Sequence, residues 1–352
     1  MKILIFTKHG KESASSRQRF FKYFEYWEKA GFNIRLNQLL DEDYLQFYNA
    51  GISYNRFKLL KTYVRRLIFL CKYGFQSDII FIHRGELFPM IPTTILLKLF
   101  LYAGVKIIVD YDDAVFHSYD KRAWVRKTIQ SKHNSIIKLV DCVITGSPYL
   151  TSYCKKLNNK IVEIPTSIDL DEYKLEHSKS DDFSIGWIGS KSTSLHLDII
   201  LPILLKFAEK YCVKIKLIGY DKSLNLINDN VQIVDWEEGK DYELLKDIKI
   251  GIMPLKNEDY EKGKCGFKLV QYMASAKPFL ASPLEANLKI DKSNQNLFAE
   301  TNEEWMEALE TVYKNYDEFY EIGLNNRLIA EKFYSIQSNA KIYVDIFKNK
   351  VA

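Results

Sequence analysis

Residues 248–281 read IKIGIMPLKNEDYEKGKCGFKLVQYMASAKPFLA. Ile248 to Ile252 is a short apolar run of strand type, and Pro254 stops it. Gly263 and Gly266 mark a turn, after which Leu269-Val270-Gln271-Tyr272-Met273-Ala274 continues with helical character. Pro278 forbids the helix from running on, and Phe279-Leu280-Ala281 opens a second apolar run. Strand, helix and strand within about thirty residues make one βαβ unit, the building block of a parallel sheet.

The same alternation extends in both directions. Strands are expected at Lys2–Phe6, Asn33–Asn37, Asp78–Ile82, Val105–Val109, Cys142–Thr145 and Ile161–Ile164, with helices near 16–30, 58–73, 91–103, 122–139 and 148–157. A polar stretch, Asp169 to Asp182, then interrupts the pattern. It resumes with strands at Ile185–Ile188, Lys214–Ile218, Gln232–Val234, Ile248–Ile252 and Pro278–Ala281, and helices near 194–210, 240–246, 266–275 and 302–315. The fold class is therefore α/β, with two Rossmann-like domains at 1–170 and 180–330 followed by a helical tail. The length of 352 residues fits two domains of roughly 150 each.

Composition excludes several classes. Hydrophobic residues at 47% and charged residues at 27% rule out disorder, collagen and coiled coil. The five cysteines, Cys71, Cys142, Cys154, Cys212 and Cys265, show no C-x-x-C pair, so neither a disulfide framework nor a zinc ribbon is legible, and a reducing cytoplasm suits them. The start, MKILIFTKHG, reads as a first strand rather than a signal peptide. Met90 to Val109 is broken by Pro92, Lys98, Gly104 and Lys106, short of the roughly 20 clean apolar residues of a membrane span.

Charge is unevenly divided. Residues 1–180 carry 28 Lys and Arg against 18 Asp and Glu, and residues 181–352 carry 22 against 27. Two acid-free spans concentrate the excess in the first half. Arg56, Lys58, Lys61, Arg65, Arg66 and Lys72 lie among Phe57, Tyr63 and Phe69; Lys121, Arg122, Arg126, Lys127, Lys132 and Lys138 lie beside Trp124. Most such runs are solvated helix faces, but basic residues interleaved with aromatics also suit an anionic membrane surface, which makes peripheral attachment to the inner face of the plasma membrane an expectation. No nucleic-acid recognition motif accompanies the basic half.

In open α/β sheets ligands bind beyond the carboxyl ends of the strands. After the first strand of the second half comes Gly186-Trp187-Ile188-Gly189-Ser190-Lys191, where Gly189 permits a tight turn and backbone N–H groups at a helix start can take a phosphate. Lys262, Lys264 and Lys268 surround Gly263 and Gly266 at the start of another helix, against the macrodipole preference for acids there, so an anion is expected. In the first half His9 and Arg17 flank the first loop, Arg84 and Glu86 follow the third strand, and Asp110, Asp112 and Asp113 end the fourth. The six histidines show no metal spacing, and D-x-D-D alone lacks the further oxygen ligands of a magnesium site.

The run Gly263 to Ser282, with Gly251-Ile252-Met253-Pro254-Leu255 before it, Ile164-Pro165-Thr166-Ser167-Ile168-Asp169 at the linker, Ser15-Ser16-Arg17-Gln18-Arg19 and Asp110-Tyr111-Asp112-Asp113-Ala114, resembles the family 4 glycosyltransferases of bacterial surface-polysaccharide type. The resemblance covers nearly the whole chain. It implies the GT-B architecture, two facing Rossmann-like domains with a deep interdomain cleft, and a C-terminal helix at about 335–352 packing back on the first domain. It further implies a retaining, metal-independent enzyme without cofactor, a nucleotide-sugar donor held by the second half, and a glycan or lipid-linked glycan acceptor held by the first.

Together the local readings and the resemblance make Gly189, Ser190, Lys191, Trp236, Lys264, Gly266, Phe267 and Gln271 donor-binding and Lys268 catalytic; Asp112 and Asp113 are read as catalytic or acceptor-side groups, His9 and Arg17 as acceptor or diphosphate contacts, and Arg84 as an acceptor contact or a structural partner of Glu86. The family commonly places two glutamates eight positions apart around this helix, one on the transferred sugar and one on the ribose. Here those positions hold Gly263 and Gln271. The implied reaction moves a hexose or aminohexose to a growing cell-surface glycan. The missing glutamate motivates a second reading, a weakly catalytic sugar-nucleotide-binding subunit that supports a partner glycosyltransferase.

Overall fold

The computed structural model describes residues 1–41, 43, 44, 47, 52–89, 91–117, 120, 122–175 and 182–349. Lys121 lies outside the described residues. The chain divides into two compact units. Unit 1 comprises Met1–Thr166, Gly263–Cys265 and Asn339–Ala352, and unit 2 comprises Ser167–Lys262 and Gly266–Ser338.

Unit 1 is built on a six-stranded sheet of β1 (Lys2–Thr7), β2 (Asn33–Gln38), β3 (Ile79–His83), β4 (Lys106–Tyr111), β5 (Cys142–Thr145) and β6 (Ile161–Glu163), in the order β2-β1-β3-β4-β5-β6. Every pairing is parallel. All five residues of β3 are buried, as its continuous IIFIH run requires of a strand covered on both faces, whereas β2 at the edge is mostly part-exposed. The helices are α1 (Ala14–Arg19), α2 (Phe24–Lys29), α3 (Arg56–Tyr73), α4 (Thr94–Tyr102), α5 (Ala123–Leu139) and α6 (Pro148–Lys155). The expected helix over 16–30 is interrupted, because Phe20 leaves helical backbone (φ −132°, ψ −65°) to pack its ring 4.8 Å from Phe81.

Arg66 corrects the surface expectation. It is fully buried in α3, with Nε donating to Asn37 Oδ1 at 2.9 Å, Nη1 to Leu87 O at 2.9 Å and Nη2 to Thr7 O and Asn37 O. This one side chain ties α3 to the carboxyl ends of β1 and β2, and burial lowers its pKa to about 9. Tyr63 and Phe69 also turn inward, against Phe88 and Phe6, while Phe57 is 84% exposed.

Unit 2 repeats the plan with β7 (Ser184–Ile188), β8 (Lys214–Ile218), β9 (Val231–Val234), β10 (Ile250–Met253), β11 (Phe279–Ala281) and β12 (Leu297–Phe298), in the parallel order β12-β11-β10-β7-β8-β9. Its helices are α7 (Leu201–Tyr211), α8 (Asp241–Leu245), α9 (Asp259–Lys262), α10 (Phe267–Ala274), α11 (Glu285–Ile290), α12 (Asn302–Lys314) and α13 (Tyr316–Phe333). Tyr272 of α10 fastens the centre of the sheet: its hydroxyl donates to Ile252 O at 2.9 Å and accepts from Ile188 N at 3.2 Å. Gly251 has no alternative there, since a Cβ would stand 2.2 Å from the Tyr272 ring. The last helix, α14 (Ile336–Phe347), starts in unit 2, and from Asn339 it belongs to unit 1. There Tyr343 and Phe347 each pack 5.3 Å from the buried Trp27.

Candidate functional site

Strand order locates the sites. In unit 1 the chain leaves β1 towards β2 and then crosses to β3 on the other side, so the switch point lies between the carboxyl ends of β1 and β3. The loop after β1 supplies Lys8 and His9, and the segment after β3 supplies Arg84 and Glu86, with Lys8 Nζ 3.8 Å from Glu86 Oε2. His9 is held neutral: burial, with Lys8 and Arg84 nearby, lowers its pKa to about 4. For Glu86 burial acts to raise the pKa, and Lys8 and Arg84 reverse that into a net lowering.

Arg84 is the hub. Its backbone is left-handed (φ +54°), a conformation costing a non-glycine residue roughly 1–2 kcal/mol, and Gly85 follows at φ +62°. Strain of this size persists where the surroundings impose it. Here Arg84 Nε donates to Asp112 Oδ1 at 2.6 Å, and Nη2 reaches Asp112 Oδ2 at 3.1 Å, Asp113 Oδ2 at 2.5 Å and Ser15 Oγ at 3.2 Å. Ser15 also donates to Asp112, and His83 Nε2 lies 3.3 Å from Asp112 Oδ1. Burial would raise the Asp112 carboxyl, but Arg84 and His83 outweigh it and hold the group well below the usual carboxylate range.

His83, Asp110 and Asp112 could each offer one ligand atom within 4.8 Å of the others. Both carboxylates already face guanidinium groups, because Arg19, fully buried, grips Asp110 and donates to Ile164 O at 2.7 Å. Arg17 is buried and donates to Lys11 O at 2.9 Å.

The Gly263–Cys265 segment groups with this cluster. Lys264 Nζ is 3.1 Å from Asp113 Oδ1, and the Cys265 thiol, its pKa pushed up by burial, donates to Asp112 O at 2.8 Å. A Cβ on Gly263 would stand 2.4 Å from Ala114 Cβ and 2.8 Å from Ala114 N. Packing therefore leaves no room at position 263 for the glutamate that the resemblance would put there.

In unit 2 the switch point lies between β7 and β10. Gly189 follows β7 so closely packed that a Cβ would meet Trp187 at 2.3 Å and Thr193 Oγ1 at 2.8 Å. The next segment, Lys191–Ile199, is a 3-10 helix rather than the expected α-helix, with Ser190 and Thr193 in a capping box. Gly266 starts α10 at φ +63°, and a side chain there would strike Ile290 at 2.2 Å. One residue past Phe267, Lys268 places its Nζ 4.1 Å from the centre of the buried Trp187 ring and 3.4 Å from Thr193 Oγ1. A cation is thereby held against an aromatic face beside the glycine turn. Further along, Trp236 and Gln271 both donate to the buried Asp241.

The structure thus brings Arg84, Asp112, Asp113 and Lys264 together in unit 1, with His9 and Arg17 on neighbouring loops. In unit 2 it joins Lys268 to the Gly189–Thr193 segment, and Trp236 to Gln271 through Asp241. Ser15, His83 and Asp241 were not singled out as site residues. For His83 the available signal was its place as the last residue of a strand, and for Asp241 its place at a helix start after Trp236.

No protein-family model matches this chain, and no curated protein sequence does. Solved structures do. Sucrose-phosphate synthase from Thermosynechococcus elongatus superposes with a TM-score of 0.74 at 12% identity, covering 99% of this chain and 98% of that one. HepE from Anabaena, in complex with UDP-glucose, gives 0.76 at 12% identity over 99% of this chain and 100% of its own. A glycosyltransferase from Rickettsia africae gives 0.68 at 15% identity over 99% and 98%. The two six-stranded parallel sheets with their helices form the GT-B-like two-domain α/β fold of these glycosyltransferases.

Proposed function

We propose that the protein is a retaining glycosyltransferase that takes a hexose or aminohexose from a nucleoside diphosphate sugar. Unit 2 binds the donor and unit 1 the acceptor, a growing, lipid-linked cell-surface glycan. The observation that carries this reading is Lys268, fixed over Trp187 and beside Thr193 at the switch point of unit 2. A positioned cation and a glycine-lined turn at the carboxyl edge of a parallel sheet suit a diphosphate. HepE, which shares the fold, has been solved with UDP-glucose, so UDP-hexoses are the first donors to test.

In the proposed step the anomeric carbon–oxygen bond to the diphosphate breaks while the acceptor oxygen bonds to the same face of that carbon. The acceptor proton passes to the departing diphosphate oxygen. Charge builds on that leaving group, and Lys268 with the backbone N–H groups of the Gly189 turn stabilises it. Arg84 holds Asp112 as a carboxylate and pairs with Asp113, and the two face the acceptor hydroxyls. Leaving-group stabilisation by lysine and backbone suits a metal-independent reaction without cofactor. Turnover of a UDP-hexose in excess EDTA is expected to match turnover without it; loss of activity restored by Mn²⁺ or Mg²⁺ would contradict this and turn attention to His83, Asp110 and Asp112.

A second reading, a sugar-nucleotide-binding subunit of low activity, draws on the absence of room for a side chain at Gly263. Donor binding without transfer to any glycolipid acceptor would favour it. The proposed acceptor is membrane-borne, and the exposed basic residues of unit 1 support peripheral binding at the inner face of the plasma membrane. Among the described residues no helix is long and apolar enough to cross a membrane.

A further inference from the structure

A row of aromatic rings runs outward from the carboxyl end of β1 in unit 1. The ring centres of His9 and Tyr44 are 5.8 Å apart, those of Tyr44 and Tyr54 5.0 Å, and those of Tyr54 and Phe47 6.1 Å. All four side chains are half-buried, and Tyr44, Tyr54 and Phe47 stand outside the apolar core of unit 1. Rings kept only to fill space belong in a core, where each withdraws the most apolar surface from water. Polar groups border the row. Tyr54 Oη donates to Asp41 Oδ1 at 2.9 Å and Oδ2 at 2.8 Å, and burial together with Asp41 raises its pKa to about 12. Tyr44 is set in place by a turn in which its N–H donates to Asp41 O at 3.2 Å.

The inner end of the row adjoins the charged cluster after β3 and β4. Burial, with Lys8 and Arg84 nearby, keeps His9 neutral, and Arg84 is the residue that grips Asp112 and Asp113. The buried Nδ1 of His9 has no hydrogen-bond partner among the described residues, and an interior polar atom left so calls for one.

These groups select among ligand chemistries. A pyranose ring carries C–H bonds on its faces and hydroxyls around its rim. The slightly positive C–H hydrogens suit the electron-rich face of an aromatic ring, and the rim hydroxyls suit a carboxylate, a phenol and a neutral imidazole. An isoprenoid chain has nothing to offer Asp41 or the tyrosine hydroxyls, and a phosphate laid on Tyr54 would meet the Asp41 carboxylate.

We propose that this row is a sugar subsite for the acceptor. The sugar unit that receives the transferred hexose lies against Tyr44, with rim hydroxyls towards His9 on one side and towards Tyr54 and Asp41 on the other. The proposal rests on the glycosyltransferase reading above and gives the receiving end of the acceptor a chemical class, a neutral pyranoside rather than a lipid phosphate.

The test is steady-state kinetics of the intact chain with UDP-glucose, UDP-galactose, UDP-N-acetylglucosamine and GDP-mannose. Each is offered octyl β-glucoside, octyl β-galactoside, octyl N-acetyl-β-glucosaminide and farnesyl phosphate as acceptors. At least one octyl glycoside is expected to accept sugar, and farnesyl phosphate is not. Tyr44→Leu keeps apolar bulk but has no aromatic face; it should raise the KM for that glycoside by at least about tenfold and change kcat by less than about threefold, with Tyr44→Phe and Tyr44→Trp restoring most of the loss. A Tyr44 that only packs would be replaced adequately by leucine, so an unchanged KM, or a fall in kcat alone, would overturn the proposal. Should Tyr44→Leu fail to fold, nuclear magnetic resonance on the wild type decides: saturation of the protein's aromatic protons should pass to the ring C–H protons of the glycoside more than to its octyl chain, and the reverse would overturn it. Donor hydrolysis without transfer to any glycoside, or transfer to farnesyl phosphate alone, would overturn this assignment and leave the glycosyltransferase reading standing. Four nucleotide sugars left intact under every condition would overturn that reading, and the subsite with it.

Discussion

Lys268 is a half-buried lysine whose ammonium lies against the Trp187 ring and 3.4 Å from the Thr193 hydroxyl. The proposed function assigns it the charge of the leaving diphosphate. Lys268→Ala should then lower kcat/KM by about 10² or more with the fold intact, since removal of one electrostatic stabiliser of a developing anion has that size. Unchanged kinetics at saturating nucleotide sugar, with unchanged circular dichroism, would remove the assignment. His133 makes a residue-scale prediction about stability. It is 3% exposed, 3.0 Å from Tyr111 Oη, and burial, helped by Lys132, lowers its pKa to about 4. Unfolded, it would titrate near 6.5. Between those values the unfolded chain binds a proton that the folded chain refuses, so stability falls as pH drops from about 6.5 to about 4. The loss approaches roughly 3 kcal/mol for this group. Urea midpoints of the wild type and His133→Gln measured at pH 7 and pH 4.5 should converge on acidification; parallel curves would contradict it.

At the scale of elements, α3 and α4 present an unusual outer face. Phe57, Leu60, Val64, Leu67 and Ile68 are exposed on α3, and Ile95, Leu99 and Tyr102 on α4, the last 98% exposed. Phe75, just beyond α3, packs its ring 4.5 Å from that of Phe100 of α4, tilted by 39°, and links the two helices. Lys58, Lys61 and Arg65 are exposed along α3. Each such cation near an anionic leaflet contributes about 1 kcal/mol, screened by salt. Sedimentation with anionic vesicles at low salt should carry the protein down, and Lys61→Glu with Arg65→Glu should release most of it. Equal binding by both proteins, or none by the wild type, would leave a solvated face. Arg66 must be spared, because it binds the ends of β1 and β2. Its burial was not legible, since arginine among arginines at helical spacing looks like surface. The central strands were legible because they are unbroken apolar runs between turn residues. The two-residue β12 was too short to register, and the break at Phe20 arises from packing on Phe81, a contact distant in sequence. Of the sites, the glycine turns and Lys268 were visible from local spacing. The partnership of Trp236, Asp241 and Gln271 was not, because Gln271 lies 30 residues beyond Asp241 and on a different helix.

For the whole molecule, two Rossmann-like units of similar plan carry unlike switch points. Unit 1 gathers Arg84, Asp112, Asp113 and Lys264 into a network of paired charges, while unit 2 offers Lys268, a glycine turn and an aromatic ring. That asymmetry suits one substrate that donates hydroxyl hydrogen bonds to carboxylates and another that brings negative charge to a cation. Under the proposed function, the excess of basic residues in the first half would serve a third party, an anionic membrane carrying the lipid-linked acceptor. The most direct measurement of the central claim is transfer itself: the intact protein incubated with a panel of labelled nucleotide sugars and a bacterial glycolipid extract. Label from one nucleotide sugar is expected to enter the lipid fraction, in a new linkage that keeps the anomeric configuration of the donor. Label that never leaves the nucleotide for any donor in the panel, or a product of inverted configuration, would contradict it.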